Sequence, residues 1–333
     1  MIRLLLVLGI CSVALASAGD RLHEFRNCVQ SCVDISCSSG MDAQVSLPLH
    51  LRLLFWTCDQ NCDYTCQRVI THDRIQNGQP ILQFHGKWPF LRMWGVQEPA
   101  AVVFSLANFV PHLLGFLMLR GDKLLHRHKH HYRDEKKPAI YKFYLGFAIV
   151  SMNAWIWSTV FHTRDFIVTE RLDYFSAGLM ILYGLYTVVI RVFRLDQASK
   201  RAILVLWSIV CAGVFIAHVG YLSLIRFSYS YNMMFGVCTG LLQNILWTYH
   251  SFSRYFSYPA HRRGQKLWTL SPFFIVLSIM AGMAFELLDF APILDVFDAH
   301  SLWHAATIMP AFWWYNWMQR DLSHLHKREV KVD

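Results

Sequence analysis

IYKFYLGFAIVSMNAWIWSTVFH, residues 140–162, holds one cation near its start, no carboxylate, and a histidine at its end. A helix rises 1.5 Å per residue, so Ile140 to Phe161 would reach about 33 Å, the thickness of a bilayer's hydrocarbon core. The run reads as a membrane-spanning helix. Similar runs recur at about Ala100 to Leu119, Leu172 to Val192, Ala202 to Tyr221, Tyr231 to Trp247, Leu267 to Phe290 and His300 to Met318. The expected fold is all-α, a seven-transmembrane-helix bundle over residues 99–319 with a short tail at 320–333. The boundary between spans four and five is the least sharply marked, because only Arg226 and a Ser-Tyr run interrupt one apolar region.

Composition points the same way. The chain has 333 residues, 55% hydrophobic and only 16% charged, which is more apolar surface than one water-soluble core can hide. A formal charge of +9 could suggest nucleic acid. The cations cluster between the apolar runs instead of marking one basic domain, so positive-inside topology accounts for them and no nucleic-acid partner is expected.

The first residues, MIRLLLVLGICSVALASAGD, give a cation at Arg3, an apolar core from Leu4 to Leu15 and the small-residue site Ala16-Ser17-Ala18. That pattern is a cleavable signal peptide over residues 1–18, the core being too short for an anchor. The next segment, 19–98, should then be lumenal. It carries Cys28, Cys32, Cys37, Cys58, Cys62 and Cys66. In an oxidising compartment these read as three disulfides, and the four-residue spacings put sulfurs on one helix face, as in a stapled helical hairpin. Six cysteines allow about fifteen connectivities, so the pairing stays open. A zinc site is the alternative, weakened by the lumenal setting and the absence of two-residue spacing. Cys211 and Cys238 lie in apolar spans and are expected to be small buried residues.

With the N-terminus lumenal, the loops after spans one, three, five and seven should be cytosolic. They hold Arg120, Lys123, Arg127, Lys129, Arg133, Lys136 and Lys137, then Arg191, Arg194, Lys200 and Arg201, then Arg262, Arg263 and Lys266, and finally Lys327 and Arg328. The lumenal loops hold Asp165, Glu170, Asp295 and Asp298 instead. Signal peptide and loop charge therefore agree on orientation, with the C-terminus cytosolic. The run His126, His128, His130, His131 reads as a solvated cytosolic loop.

Ionisable residues at span ends on one side of a membrane are the natural place to look for a site. Span two ends in Ser158-Thr-Val-Phe-His162, span three opens at Asp173, and span seven opens with His300-Ser-Leu-Trp-His304, all at the lumenal side. Residues four apart share a helix face, so His300 and His304 can offer two imidazoles to one ion and His162 a third. Three histidines leave a fourth tetrahedral position for water, the pattern of a catalytic Zn2+ site, and zinc lowers the pKa of that water to about 7. An ester or amide carbonyl is the matching target. Asp173 is placed as general base and acid, and Ser158, one turn from His162, as a stabiliser of the oxyanion. Asn108, His112, Asn153, Gln243 and Asn244 read as interhelical hydrogen-bonding residues, and Glu286 and Asp289 as supports behind the metal ligands. A histidine pair alone is a weak signal; its meeting with three further polar residues at one depth strengthens it.

The serine four residues before a histidine, the aspartate opening the next span and the late histidine pair resemble a superfamily of seven-span membrane hydrolases. Alkaline ceramidases and the progestin and adiponectin receptors belong to it. The six-cysteine domain, FHGKWPFLRMWGVQEPA at Phe84 to Ala100 and NAWIWSTVFHTRD in span two resemble, more closely, the Per-like family. The resemblance implies His162, His300 and His304 as metal ligands with Ser158 and Asp173 as catalytic companions. It also implies fatty-acid remodelling of glycosylphosphatidylinositol (GPI) anchors in the Golgi or endoplasmic reticulum: hydrolysis of the unsaturated sn-2 acyl ester to a lyso intermediate, with GPI-anchored proteins and their lipid as substrate. A ceramidase-like amidase, or a non-catalytic seven-span receptor or lipid-binding protein with structural zinc, are the competing readings.

Overall fold

A computed structural model describes residues 17–37, 47–121, 137–286 and 288–329. Most of the expected signal peptide, the His126 to His131 run with its neighbouring cations, and the last four residues lie outside the described residues. The chain divides into two compact units, one of residues 1–99 with 290–298 and the other of 100–289 with 299–333.

The first unit is a helical hairpin. Helix α1 (His23–Ser36) and helix α3 (Cys58–Gln76) are joined through the short helix α2 (Leu49–Leu53). Thr57 starts α3 with a reciprocal cap, its hydroxyl accepting from the Gln60 amide at 3.3 Å while Gln60 Oε1 accepts from the Thr57 amide at 3.1 Å. The disulfides Cys28–Cys66, Cys32–Cys62 and Cys37–Cys58 form three nested rungs between the antiparallel helices. That nesting follows from the four-residue spacing: each helical turn on α1 meets one turn on α3. The strand-like stretch after α3 doubles back twice, at His85-Gly86 (φ 51° and 79°) and Trp94-Gly95 (φ 53° and 87°). Left-handed pairs of this kind favour glycine at the second position, which explains HG and WG in FHGKWPFLRMWGV. The indole of Trp56 donates to the Gly95 carbonyl at 2.8 Å.

Residues 290–298, expected to be part of a simple lumenal loop, belong to this first unit. Arg68 donates to Pro89 O and to the Asp295 carboxylate, both at 2.6 Å, and the Leu91 amide donates to Asp295 O at 2.8 Å. A half-buried cation of the hairpin thus captures a carboxylate more than two hundred residues later, a contact no local pattern announces.

The described residues of the second unit form a bundle of seven long helices: α4 (Pro99–Arg120), α5 (Tyr141–Thr163), α6 (Ile167–Phe193), α7 (Arg201–Gly220), α8 (Tyr229–Phe256), α9 (Ser271–Glu286) and α10 (Ala299–Glu329). Among the described residues, five apolar helical runs can cross a membrane by length and composition: α4, α5, α6, α7 with its flanking turns, and the run ending in α9. Helices α8 and α10, of 28 and 31 residues, are richer in Ser, Asn, Gln and His, and α10 also in charged residues. Neighbouring pairs pack as α5 with α6, α6 with α7 and α8, and α9 with α8 and α10. The core gathers Tyr144, Val188, Ile190, Trp247, Ile275, Tyr315, Trp317 and Met318. Gly115 lets α4 approach α10, since a Cβ there would fall 2.2 Å from the Tyr315 ring. Many apolar side chains face outward, among them Ile209 and Leu206 at 62% exposure and Ile216 at 70% on α7, as a lipid-facing surface requires.

Some boundaries differ from expectation. Span three starts at Ile167, because Thr169 caps the Phe166 amide at 2.9 Å, and Asp173 therefore lies in the second turn. Span six is α-helical only from Ser271 to Glu286, after a 3-10 stretch at Gly264–Leu270. Asp289 falls beyond it in a left-handed turn (φ 34°). Span four widens into a π turn at Tyr221–Ile225, and span seven runs on through 319 without a break to Glu329. Cys211 is buried as expected, whereas Cys238 is exposed on α8.

Two polar clusters fix the helix packing. At one end, Arg191 of α6 makes a bidentate pair with Asp321 of α10, at 2.7 and 2.5 Å, and Tyr144 of α5 donates to the same carboxylate at 2.8 Å. The other cluster lies at the opposite end and contains the histidines.

Candidate metal centre

His162 closes α5, and His300 and His304 open α10 one turn apart. One nitrogen from each of the three lies within 4.8 Å of the others. Ring centroids are 5.2 Å apart for His162 and His300, 5.1 Å for His162 and His304, and 4.5 Å for His300 and His304. His162 and His304 are buried and His300 is partly open. Nitrogens around a tetrahedral zinc at 2.0–2.1 Å stand about 3.3 Å from one another, so the triad needs a contraction of at most about 1.5 Å to fit.

The supporting contacts match a metal-binding role. His300 Nδ1 is 2.9 Å from Glu286 Oε2, and His304 Nδ1 is 3.0 Å from Ser105 Oγ. Metal-binding imidazoles characteristically give one nitrogen to a carboxylate or hydroxyl and the other to the ion, and Nδ1 of both residues has a partner of that kind. Asn108 fastens the backbone of the same turn, donating to the His304 carbonyl at 2.7 Å and accepting from Thr307 Oγ1 at 3.1 Å. Trp155 packs edge-on against His304 at 5.3 Å, so rotation of that ring is hindered. The residues present therefore fit a three-histidine ion site on donor type, spacing and orientation.

Ser158 is buried, and its hydroxyl meets Ser105 Oγ at 2.9 Å. Ser158, Ser105 and His304 thus form a chain of hydrogen bonds across three helices. Ser105 is the residue that sequence reading missed. A clue was present, because Ser105, Asn108 and His112 recur at three- and four-residue spacing on one face of an otherwise apolar helix.

The depth of Asp173 follows from the register of α5 and α6. Asn153 donates to Ser176 Oγ at 3.1 Å, and Gly146 faces Tyr183. At 1.5 Å per residue, Asp173 stands about 4.5 Å from the 153–176 pair toward the histidine end, Ser158 about 7.5 Å and His162 about 13.5 Å. Asp173 is therefore level with the turn below Ser158 and deeper than His162, and it is half-buried. Of the two expected supporting carboxylates, Glu286 reaches a histidine; Asp289 lies three residues past the end of its helix.

The model of one protein family, the Per1-like family, matches residues 48–322. The chain belongs to the Per1-like family. Its similar relatives include "Protein PER1 homolog" of Schizosaccharomyces pombe, 39% identical over 95% of this chain and 91% of the relative. "Post-GPI attachment to proteins factor 3" of Drosophila melanogaster is 38% identical over 94% and 91%, and "GPI-specific phospholipase A2-like PGAP3" of Homo sapiens 35% identical over 98% and 95%. No solved structure matches the chain. The Per1-like match includes α3, α4 to α9, α10 as far as Leu322, and each of Ser105, Ser158, His162, Asp173, Glu286, His300 and His304.

Proposed function

We propose that this Per1-like protein is a zinc-dependent acyl-ester hydrolase that removes the unsaturated sn-2 chain from the lipid of GPI-anchored proteins, leaving a lyso-GPI intermediate. The relatives' names support the substrate, and the three converging imidazoles with oriented Nδ1 atoms support the chemistry. His162, His300 and His304 would hold the ion. When bound, zinc supplies Lewis acidity and lowers the pKa of water to about 7.

The chain's own residues then divide the work. With Nε2 of His304 committed, its Nδ1 carries the proton and donates to Ser105 Oγ, and Ser105 in turn donates to Ser158 Oγ. Ser158 is left with its own O–H to donate toward the negative charge that develops on the ester carbonyl oxygen. It acts as a stabiliser and not a nucleophile, since no histidine is left free to take its proton: His304 Nδ1 already donates and His162 would hold the ion. Asp173 takes the proton from the attacking water and returns it to the departing alkoxide, so that water adds across the acyl C–O bond to give a fatty acid and an alcohol. Glu286 holds the His300 ring and offsets part of the ion's charge.

The proposed topology puts the first unit and the histidine end in the lumen of the Golgi or endoplasmic reticulum, where the acyl esters of anchored proteins are exposed. The test is to restore wild type, His162→Ala, His304→Ala or Asp173→Ala in cells lacking the protein and to read the acyl chains of a GPI-anchored reporter by mass spectrometry. Wild type should restore remodelling and the three variants should not. Full remodelling by well-expressed histidine variants would refute the mechanism, and normal reporter lipid in the null cells would refute the substrate.

A further inference from the structure

Trp155 carries a buried donor that the packing of the bundle does not use. The residue is 8% exposed, and its indole Nε1 meets no hydrogen-bond acceptor among the described residues. A buried N–H without a partner is costly, so nearly every such group in a folded protein is matched to something. Trp155, Ser158 and His162 follow one another at three- and four-residue spacing on one face of α5. The Trp155 ring stands edge-to-face with the His304 imidazole, centroids 5.3 Å apart. Trp155 also lies about 3 Å from the 153–176 pair toward the histidine end, within about 1.5 Å of the level of Asp173. We propose that Trp155 is a further catalytic residue: its indole N–H donates to the ester carbonyl oxygen as negative charge develops there, completing with Ser158 a two-donor oxyanion hole. This assignment rests on the hydrolase reading above and extends it.

An indole N–H suits this work. It donates and never accepts, so it does not compete with Asp173 for the proton of the attacking water, and it keeps its own proton throughout. Its ring is held by packing, so the dipole is oriented before charge appears. A second buried indole gives the contrast. Trp247 Nε1 also lacks an acceptor, but that ring stands nearly at right angles to Trp314, Trp317 and His250, whose faces are electron-rich. Trp155 has one such neighbour among the described residues, His304, and an imidazole that holds a cation loses electron density from its face. The Trp155 donor is thereby left for substrate, while the Trp247 donor is absorbed by the core.

The test compares wild type, Trp155→Phe and Ser151→Ala as full chains in nanodiscs containing a GPI-anchored reporter. Phenylalanine keeps an aromatic ring beside His304 and removes the N–H. Ser151 lies one turn deeper on the same face, fully buried and also without a partner, and controls for the loss of a buried polar group. Trp155→Phe should lower kcat about 10²-fold with KM and zinc content within about twofold of wild type, because the donor acts on charge present only in the transition state. Ser151→Ala should keep the wild-type rate. Binding gives a readout apart from turnover. An sn-2 phosphonate analogue, anionic and tetrahedral at the reacting atom, should bind Trp155→Phe about tenfold or more weakly than wild type. An sn-2 ether analogue, which has no carbonyl, should bind both equally and so reports that the variant is folded. A kcat within about twofold of wild type in Trp155→Phe, an equal fall in Ser151→Ala, or equal weakening of both analogues overturns the assignment. Wild-type protein that releases no sn-2 fatty acid refutes the hydrolase reading and this inference with it, whereas an active wild type matched by Trp155→Phe refutes the inference alone.

Discussion

Glu286→Gln separates a metal centre from a mere hydrogen-bonded cluster. Glu286 Oε2 lies 2.9 Å from His300 Nδ1, with the carboxylate side chain 13% exposed and the imidazole 39% exposed. Glutamine keeps the length and an oxygen acceptor, so the ring stays where it is and the bundle loses no packing. What disappears is the negative charge behind the imidazole. Loss of such a partner lowers metal affinity about 10–100-fold, or about 1.4–2.8 kcal/mol. Because His300 is partly open to solvent, screening should bring the effect toward the lower end, near tenfold. Competition of the purified chain against a chromogenic zinc chelator measures it, alongside unfolding of the metal-free protein. The expected result is weaker zinc binding with an unchanged metal-free unfolding temperature. Unchanged zinc affinity would show that the Glu286 contact only caps α9 against α10, and a matching fall in metal-free stability would show that the loss is structural.

Ser158→Ala removes the proposed oxyanion donor and should lower the single-turnover hydrolysis rate about 10²–10³-fold with zinc content intact; a rate within twofold of wild type would remove Ser158 from the mechanism. Ser105→Ala leaves His304 Nδ1 without its hydroxyl partner and should reduce both zinc affinity and rate, with a stability cost of about 1–3 kcal/mol in detergent unfolding. Asp321→Asn strands Arg191 in a site where both side chains are under 5% exposed and should cost about 3–5 kcal/mol, most of it recovered in Arg191→Met/Asp321→Asn. In the first unit, the hydrogen bond to Asp63, 2.9 Å away, raises the His85 pKa more than burial lowers it, and the Asp63 and Asp20 charges add to the rise. Its stabilising effect should be complete below about pH 6.5 and fade as pH rises through the elevated folded value. Asp63→Asn should therefore raise hydrogen exchange in α3 at pH 5.5 and not at pH 8.5, by no more than about 1 kcal/mol because His85 is exposed.

The fold was legible because membrane spans announce themselves by length and lack of charge, and because two cysteine clusters at four- and five-residue spacing suit a stapled helical hairpin, although spacing does not say which cysteine pairs with which. Local patterns could not reveal the capture of Asp295 by Arg68, since that contact joins segments separated by the whole bundle. Helix ends were misread where capping chemistry outweighed hydropathy: Glu170 and Arg171 look like loop, yet Thr169 already caps α6 below them. At the candidate site, His162, His300 and His304 could be chosen from the sequence because a histidine pair at helical spacing and a third histidine fall at span ends on one side of the membrane, beside a serine and an aspartate. Ser105 could not, because a single serine in a membrane helix normally satisfies itself on its own backbone. Only the crossing of α4 over α10 turns it into a bridge between His304 and Ser158.

The central claim is that three histidines hold a catalytic zinc ion. Purified protein in nanodiscs containing a GPI-anchored reporter allows metal content and release of the sn-2 fatty acid to be measured on the same sample, before and after chelation and zinc return. The account predicts one zinc per chain, loss of metal and hydrolysis together in His162→Ala and His304→Ala, and recovery of wild-type activity when zinc is restored. Hydrolysis that persists in the fully metal-free protein, or in a folded His304→Ala variant, would contradict it.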